Sequence, residues 1–240
     1  MKSRIIAVVS WLVIGHALLA GLYWLLLQVP ESNTLMLAAS ALFVLALVYG
    51  FGLVQLMPLC AVGASEPMGR ALRVAAGRAW LAVVPLAVFA MVWWVTGMAQ
   101  DWAAGHAGEL DAWFIARLGW TKTGWFHTGI HVVLALVRFG IGVSLAVSML
   151  AAIAGAGVKG LLADGWLRGA FRWRSLLLVS AALIVGFALP SHALDWRPAS
   201  LPPTWVQPAF AAVKLFVLYV VANAAWAFIL LKASRPSAVK

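Results

Sequence analysis

Six apolar runs divide the chain, at residues 5–27, 35–57, 79–98, 126–152, 175–194 and 209–231. Between them lie short stretches that carry nearly all the charge, most of the proline and much of the tryptophan. About 20 mostly apolar residues are needed to cross the hydrocarbon of a bilayer, and all six runs qualify. The pattern predicts an all-α fold: a polytopic membrane helical bundle with six transmembrane helices and short interfacial helices. It forms a single transmembrane domain over residues 1–240. The fifth run is the least clean, because Pro190 interrupts it and its apolar core is short. Five spans with a re-entrant fifth segment is the competing topology.

Two connections read as structured. In 109–120, Leu110, Trp113, Phe114 and Leu118 recur at helical spacing, with acids at the start and Arg117 near the end. That polarity suits the helix dipole and predicts a short helix lying on the membrane surface. Segment 160–174 mixes Leu161, Leu162, Leu167 and Phe171 with Arg168, Arg172 and Arg174. It reads as an interfacial basic segment drawn to anionic lipid, worth roughly 1 kcal/mol per cation. The 190–208 connection holds five of the ten prolines, and proline restricts φ and removes a donor. A stiff, extended loop is expected there.

Composition supports this reading. The residues are 65% hydrophobic and 10% charged, with a mean hydropathy of +0.99, whereas soluble domains carry roughly 25% charge. The net charge of +10 does not imply nucleic-acid binding, because the cations punctuate apolar runs instead of forming one patch. With the N-terminus in the cytoplasm, twelve of the 17 Lys and Arg fall on the inner side. Three, Arg117, Lys122 and Arg197, fall outside, and Arg138 and Lys214 lie within spans. The positive-inside rule therefore predicts cytoplasmic N- and C-termini in an inner (plasma) membrane. Nine of the 14 tryptophans fall at the expected outer boundary, where an indole anchors at headgroup level. The excess of Arg over Lys, with abundant Ala and Gly, leans toward a bacterial source. The first run, which follows Lys2 and Arg4, reads as a retained signal anchor, too long for a typical cleaved signal peptide. The lone Cys60 excludes an intrachain disulfide and reads as a small apolar residue.

Candidate chemistry is sparse. Gly155, Gly157 and Gly160 match the letters of a dinucleotide fingerprint, but that motif needs a strand before it and a βαβ unit around it. Here the glycines end a membrane helix. Gly142-Val143-Ser144 likewise lacks the strand of a nucleophile elbow. His127 and His131 are one helical turn apart and could share a metal, with His192, Asp195 or Asp101 as a third ligand. Thr128 stands where a zincin has its general base, and no complete ligand set is evident. Two interfacial histidines is the simpler reading. Arg138 is costly in a membrane, at roughly 2.5–3.5 kcal/mol. At 100° per residue it shares a polar stripe with His127 and His131. No Asp or Glu lies in any span, so Arg138 and Lys214 take a loop acid or an external anion as partner.

His16, near the middle of the first span, differs in depth from the outer histidines, which disfavours a membrane haem. It reads as a hydrogen-bonded core residue. Gly140, Ser144, Ser148 and Ala152 recur every four residues, a spacing that lets helix backbones approach closely and predicts a central fourth helix. No haem, metal or other cofactor is expected.

Three functions are compatible with these residues. The leading one is a non-catalytic membrane accessory or assembly component, with the bilayer and a membrane protein partner or a second copy of itself as contacts. The second is a small transporter or lipid-handling protein. It would use an anion-binding or lipid site made by Arg138, Lys214, His127 and His131 in the outer half. The third is a haem or metal protein using the outer histidines.

Overall fold

Each apolar run becomes helix, and most helices continue past the run that predicted them. The computed structural model describes residues 2–30, 33–63, 67–119, 125–163, 165–196, 198 and 204–233. α1 covers Lys2–Leu27 and α2 Thr34–Gly63. α3 (Met68–Arg78) passes through a 3-10 turn (Ala79–Ala82) into α4 (Val83–Leu118). The fourth span comprises α5 (Trp125–Ala135), a π-helical turn (Leu136–Ile141) and α6 (Gly142–Ala156). Two short helices follow, α7 (Val158–Leu162) and α8 (Gly165–Ala170). The fifth span comprises α9 (Trp173–Leu183), a second π turn (Ile184–Ala188) and α10 (Leu189–Asp195), and α11 (Val206–Ala233) is the sixth. Six helices are long and apolar enough to cross a membrane. The chain is an all-α, polytopic membrane bundle.

Its exterior is one that lipid solvates. Ile6, Leu18, Leu35, Leu42 and Phe216 are between 63% and 75% exposed, and their distribution over several helices far exceeds the apolar patches that water tolerates. The core joins the spans through Leu12, Leu56, Leu150, Ile153 and Leu230, all buried. Successive spans alternate in direction. The starts of α1, α3 and α9 therefore share one end of the bundle with the ends of α2, α6 and α11. That end carries Arg70, Arg73, Arg78, Lys159, Arg168, Arg172, Arg174 and Lys232 and is termed the basic end.

Breaks in the helices have identifiable causes. Pro58 sits inside α2 and has no N–H for the carbonyl of Val54, four residues back. Trp11 of α1 supplies a donor, its Nε1–H bonding to Val54 O at 3.1 Å. In the fifth span, Leu189 N–H reaches back five residues to Ile184 O. This widened turn directly precedes Pro190 and relieves the clash its ring would make with the Gly186 carbonyl. The span thus continues as helix from Trp173 to Asp195, roughly 34 Å at 1.5 Å per residue. That length is enough to cross the hydrocarbon layer, as the six-span topology requires.

Two glycines mark close backbone approaches. A Cβ on Gly52 would lie 2.1 Å from the carbonyl oxygen of Ala79, so α2 packs directly on the 3-10 turn. A Cβ on Gly186 would lie 2.5 Å from the Cβ of Ala225, which locks the second π turn against α11. α6 touches α2, α3, α4, α7, α8, α9 and α11, and the small residues lie along these contacts. Gly140 is buried beside Ser180, and Ser144 donates its Oγ–H to Ala170 O at 2.8 Å. Ser148 and Ala152 are half-buried, and the Ala152 carbonyl closely faces Gly160.

Local expectations need correction. Of the surface helix expected at 109–120, the described residues 109–119 form no separate element. Residues through Leu118 are the last turns of α4, which ends on Gly119 in the left-handed conformation (φ 65°). No proline interrupts 99–118, and the helix has no reason to stop at the membrane boundary. At 36 residues, α4 is about 54 Å long and outruns a 30 Å hydrocarbon layer. The loop expected at 190–208 is shortened at both ends, by α10 and by α11, whose first turn includes Pro208. Residues 197 and 199–203 lie outside the described set. The basic 160–174 segment is helical in part, as α7 and α8.

Candidate functional site

Inside the bundle, α1, α2 and α11 contribute one polar network. Its members are His16, Gln55, Tyr219, Asn223 and Trp226, and Gln55 and Asn223 are only 1% and 4% exposed. The direction of every bond follows from one group. An indole N–H can only donate, so Trp226 Nε1–H donates to Gln55 Oε1 at 2.5 Å. The other end of that amide must then be the donor, and Gln55 Nε2 donates to His16 Nε2 at 2.8 Å. His16 is therefore the neutral Nδ1–H tautomer, donating to Asn223 Oδ1 at 2.6 Å. Asn223 Nδ2 in turn donates to Tyr219 O at 2.9 Å. The Tyr219 hydroxyl closes the set by donating to Val13 O at 2.6 Å. Polar groups in a lipid-solvated bundle must find partners internally. Among the described residues no buried side-chain N or O atom lacks one.

Beside this network lies a cavity of about 440 Å³ to which all six spans contribute. α1 provides His16, α2 Phe51 and Gln55, and α4 Pro85, Leu86 and Phe89. Val143, Ala146 and Leu150 come from α6, Phe187 from the second π turn, and Tyr219, Ala222, Asn223 and Trp226 from α11. Because the network's polar atoms bond to one another, they present almost nothing to the cavity, whose surface is nearly all carbon. Ligand pockets typically measure about 300–1,000 Å³, and this one lies within that range. No Asp, Glu, Lys or Arg stands in its wall.

The residues singled out from sequence lie elsewhere. Arg138 is half-buried in the first π turn. Its Nε–H donates to Thr96 Oγ1 at 3.0 Å, and its guanidinium lies 4.2 Å from the centre of the Trp93 ring. Thr96 can accept because its own hydroxyl donates to main-chain carbonyls of Val92 and Trp93. Gly142 N–H reaches back five residues to Val137 O. Uniform 100° rotation, on which the stripe joining Arg138 to His131 and His127 depends, does not hold through that turn.

Lys214 donates to the carbonyls of Leu194 (2.6 Å) and Trp196 (2.8 Å). It caps the C-terminal end of α10, where a cation suits the helix dipole. Arg78 plays the same part at the basic end, donating to Ile153 O at 3.1 Å and to Ala154 O at the end of α6. His131 is half-buried in α5 and His192 exposed in α10. The side chains of His127 and Asp195 lie outside the described set. Among the described residues, no three His, Cys, Asp or Glu side chains come together as a metal site would require.

Sequence reasoning singled out His16 as a hydrogen-bonded core residue and missed its partners. A signal existed: Gln55 and Asn223 are the only amide side chains within the six apolar runs, and such groups seek one another across helices. No family model, curated protein or solved structure matches the chain.

Proposed function

We propose that this chain is a non-catalytic, lipid-handling membrane protein that holds an apolar molecule, an acyl or similar hydrocarbon chain, in the cavity between its six spans. The observation that carries the reading is the lining: all six spans converge on a void whose polar neighbours are tied to one another and whose surface is carbon. A void of this kind disfavours water, which needs polar partners, and suits a hydrocarbon. In this reading Arg138 and Lys214 serve the scaffold through the partners described above. The test fills the void. Ala146→Trp and Ala222→Phe should abolish retention of a fluorescent fatty-acid probe by detergent-purified protein and leave its melting cooperative. Undiminished retention in both folded variants would rule the cavity out as the binding site.

A second reading, an accessory or assembly component, has its own support. The extended end of α4 exposes Trp113, Ile115 and Leu118 well beyond the 79–98 apolar run. Such a surface fits a membrane protein partner or a second copy of the chain. Gentle solubilisation followed by native mass spectrometry tests it, and a lone monomer under those conditions counts against it. The asymmetry of Lys and Arg supports cytoplasmic termini in a bacterial inner membrane. Reporter fusions at the two ends and after Gly119 should report opposite sides.

A further inference from the structure

A second cavity, of about 480 Å³, opens at the basic end between α6, α8, α9 and α11. The chain treats it quite differently from the first. Arg172, Arg174 and Lys232 all line it, with the hydroxyls of Ser148 and Ser175. Three like charges on one concavity repel one another, so an anion placed among them gains from all three at once. α9 also begins here. Arg172 is its N-cap residue, the first turn contains no acid, and no side chain caps it. The positive end of the helix dipole therefore adds to the same field.

Two of the cations are steadied by aromatic faces. The Arg174 guanidinium lies 5.4 Å from the centre of the Trp173 ring, and the Lys232 ammonium lies 5.5 Å from that of Phe228. Below the charges the wall turns apolar, through Leu178, Val179 and Ile229, and descends along three membrane-spanning helices. The acids with described side chains, Asp101, Glu109 and Asp111, all lie on α4 in its portion away from the basic end. The side chains of Glu31, Glu66, Asp195 and Asp164, the last next to Gly165 in the wall, lie outside the described residues.

We infer that this cavity is a phosphate site, with Arg172, Arg174 and Lys232 as ligands and an apolar wall suited to the chain of an anionic phospholipid. The inference is independent of what occupies the central cavity. Interfacial cations contribute roughly 1 kcal/mol each toward anionic lipid, so three on one headgroup give a preference of at least about tenfold over a zwitterionic lipid.

The experiment uses the full chain, delipidated in uncharged detergent and offered phosphatidylglycerol or phosphatidylcholine, with retention read by native mass spectrometry. Wild type should keep one phosphatidylglycerol preferentially. The triple variant Arg172→Gln, Arg174→Gln, Lys232→Gln should lose that preference. A control triple, Arg73→Gln, Lys159→Gln, Arg168→Gln, removes equal charge from exposed positions on the same end that do not line the cavity, and should keep it. Equal loss in both triples means diffuse surface attraction and overturns the site. Unchanged retention in the first triple overturns it too. Should the first triple not fold, Arg174→Gln and Lys232→Gln singly must each weaken the preference, and two singles that match wild type overturn the site. Inorganic phosphate separates the sources. A melting shift with phosphate alone, absent in the cavity variants, identifies a free-phosphate site, whereas a response to phosphatidylglycerol only identifies lipid. If neither ligand distinguishes wild type from the cavity variants, the inference fails.

Discussion

The two cavities are nearly the same size, about 440 and 480 Å³, and are lined in opposite ways. The central one is surrounded by polar side chains, yet those side chains satisfy each other and show it carbon. The basic-end cavity is lined by three cations as well as serine hydroxyls. Depth explains the contrast. In the hydrocarbon, an unbonded polar atom costs several kcal/mol, so His16, Gln55 and Asn223 are held only as a closed network. At the headgroup level water and phosphate are available, and Arg172, Arg174 and Lys232 can remain exposed at little cost. Equal volumes therefore present different chemistry, carbon in one and cations in the other.

That comparison can be broken most forcefully at Gln55. Gln55→Leu removes the partner of both Trp226 Nε1–H and His16 Nε2, and two stranded groups should cost about 2–4 kcal/mol. Unfolding in mixed micelles measures it, and a loss under about 0.5 kcal/mol would show that the network is not closed as described. Gly52→Ala comes next. Its methyl group must displace the Ala79 carbonyl, a backbone shift worth about 1–3 kcal/mol, with Gly77→Ala, which meets no neighbour, as the reference.

Trp11→Phe should cost about 1–2 kcal/mol by leaving Val54 O without its outside donor. Combining it with Pro58→Ala, which restores a backbone N–H for the same carbonyl, should recover part of the loss. Absence of rescue would separate indole packing from hydrogen bonding. The smallest effect sharpens the other side of the comparison. Arg174→Gln and Lys232→Gln, both at exposed positions, should change stability by no more than about 0.5 kcal/mol each. A larger loss in the absence of lipid would mean that these cations hold the fold together.

Much of the fold was readable before any coordinates. Six spans follow from six apolar runs because hydrocarbon leaves the backbone little choice but helix. Where the chain meets water that constraint lapses, and there the reading failed. It expected a separate surface helix from residue 109, where α4 instead runs on unbroken to Leu118, since a helix stops at a cap or breaker and not at a membrane boundary. Pro190 was read as a weakness in the fifth span, but the π turn before it absorbs the distortion. The stripe of Arg138, His131 and His127 assumed a regular helix, whereas Arg138 itself sits in a widened turn. The site was half legible. His16 stood out as an intramembrane polar residue, but its partners are 39 and 207 residues away in sequence.

Sequence by itself determined that this chain crosses a membrane six times, where its polar residues are scarce, and that one end is basic. Those properties depend on local composition over about 20 residues, the length at which bilayer thickness acts. Tertiary structure alone decided which polar residues meet. It joined Gln55 to Trp226, gave the Pro58-orphaned carbonyl of Val54 to Trp11, and brought Arg138 to Thr96. It also brought Arg172, Arg174 and Lys232 around one cavity. Those pairings depend on helix rotation and register, which shift with a single π turn or proline, and a uniformly apolar helix surface leaves almost no record of them in sequence.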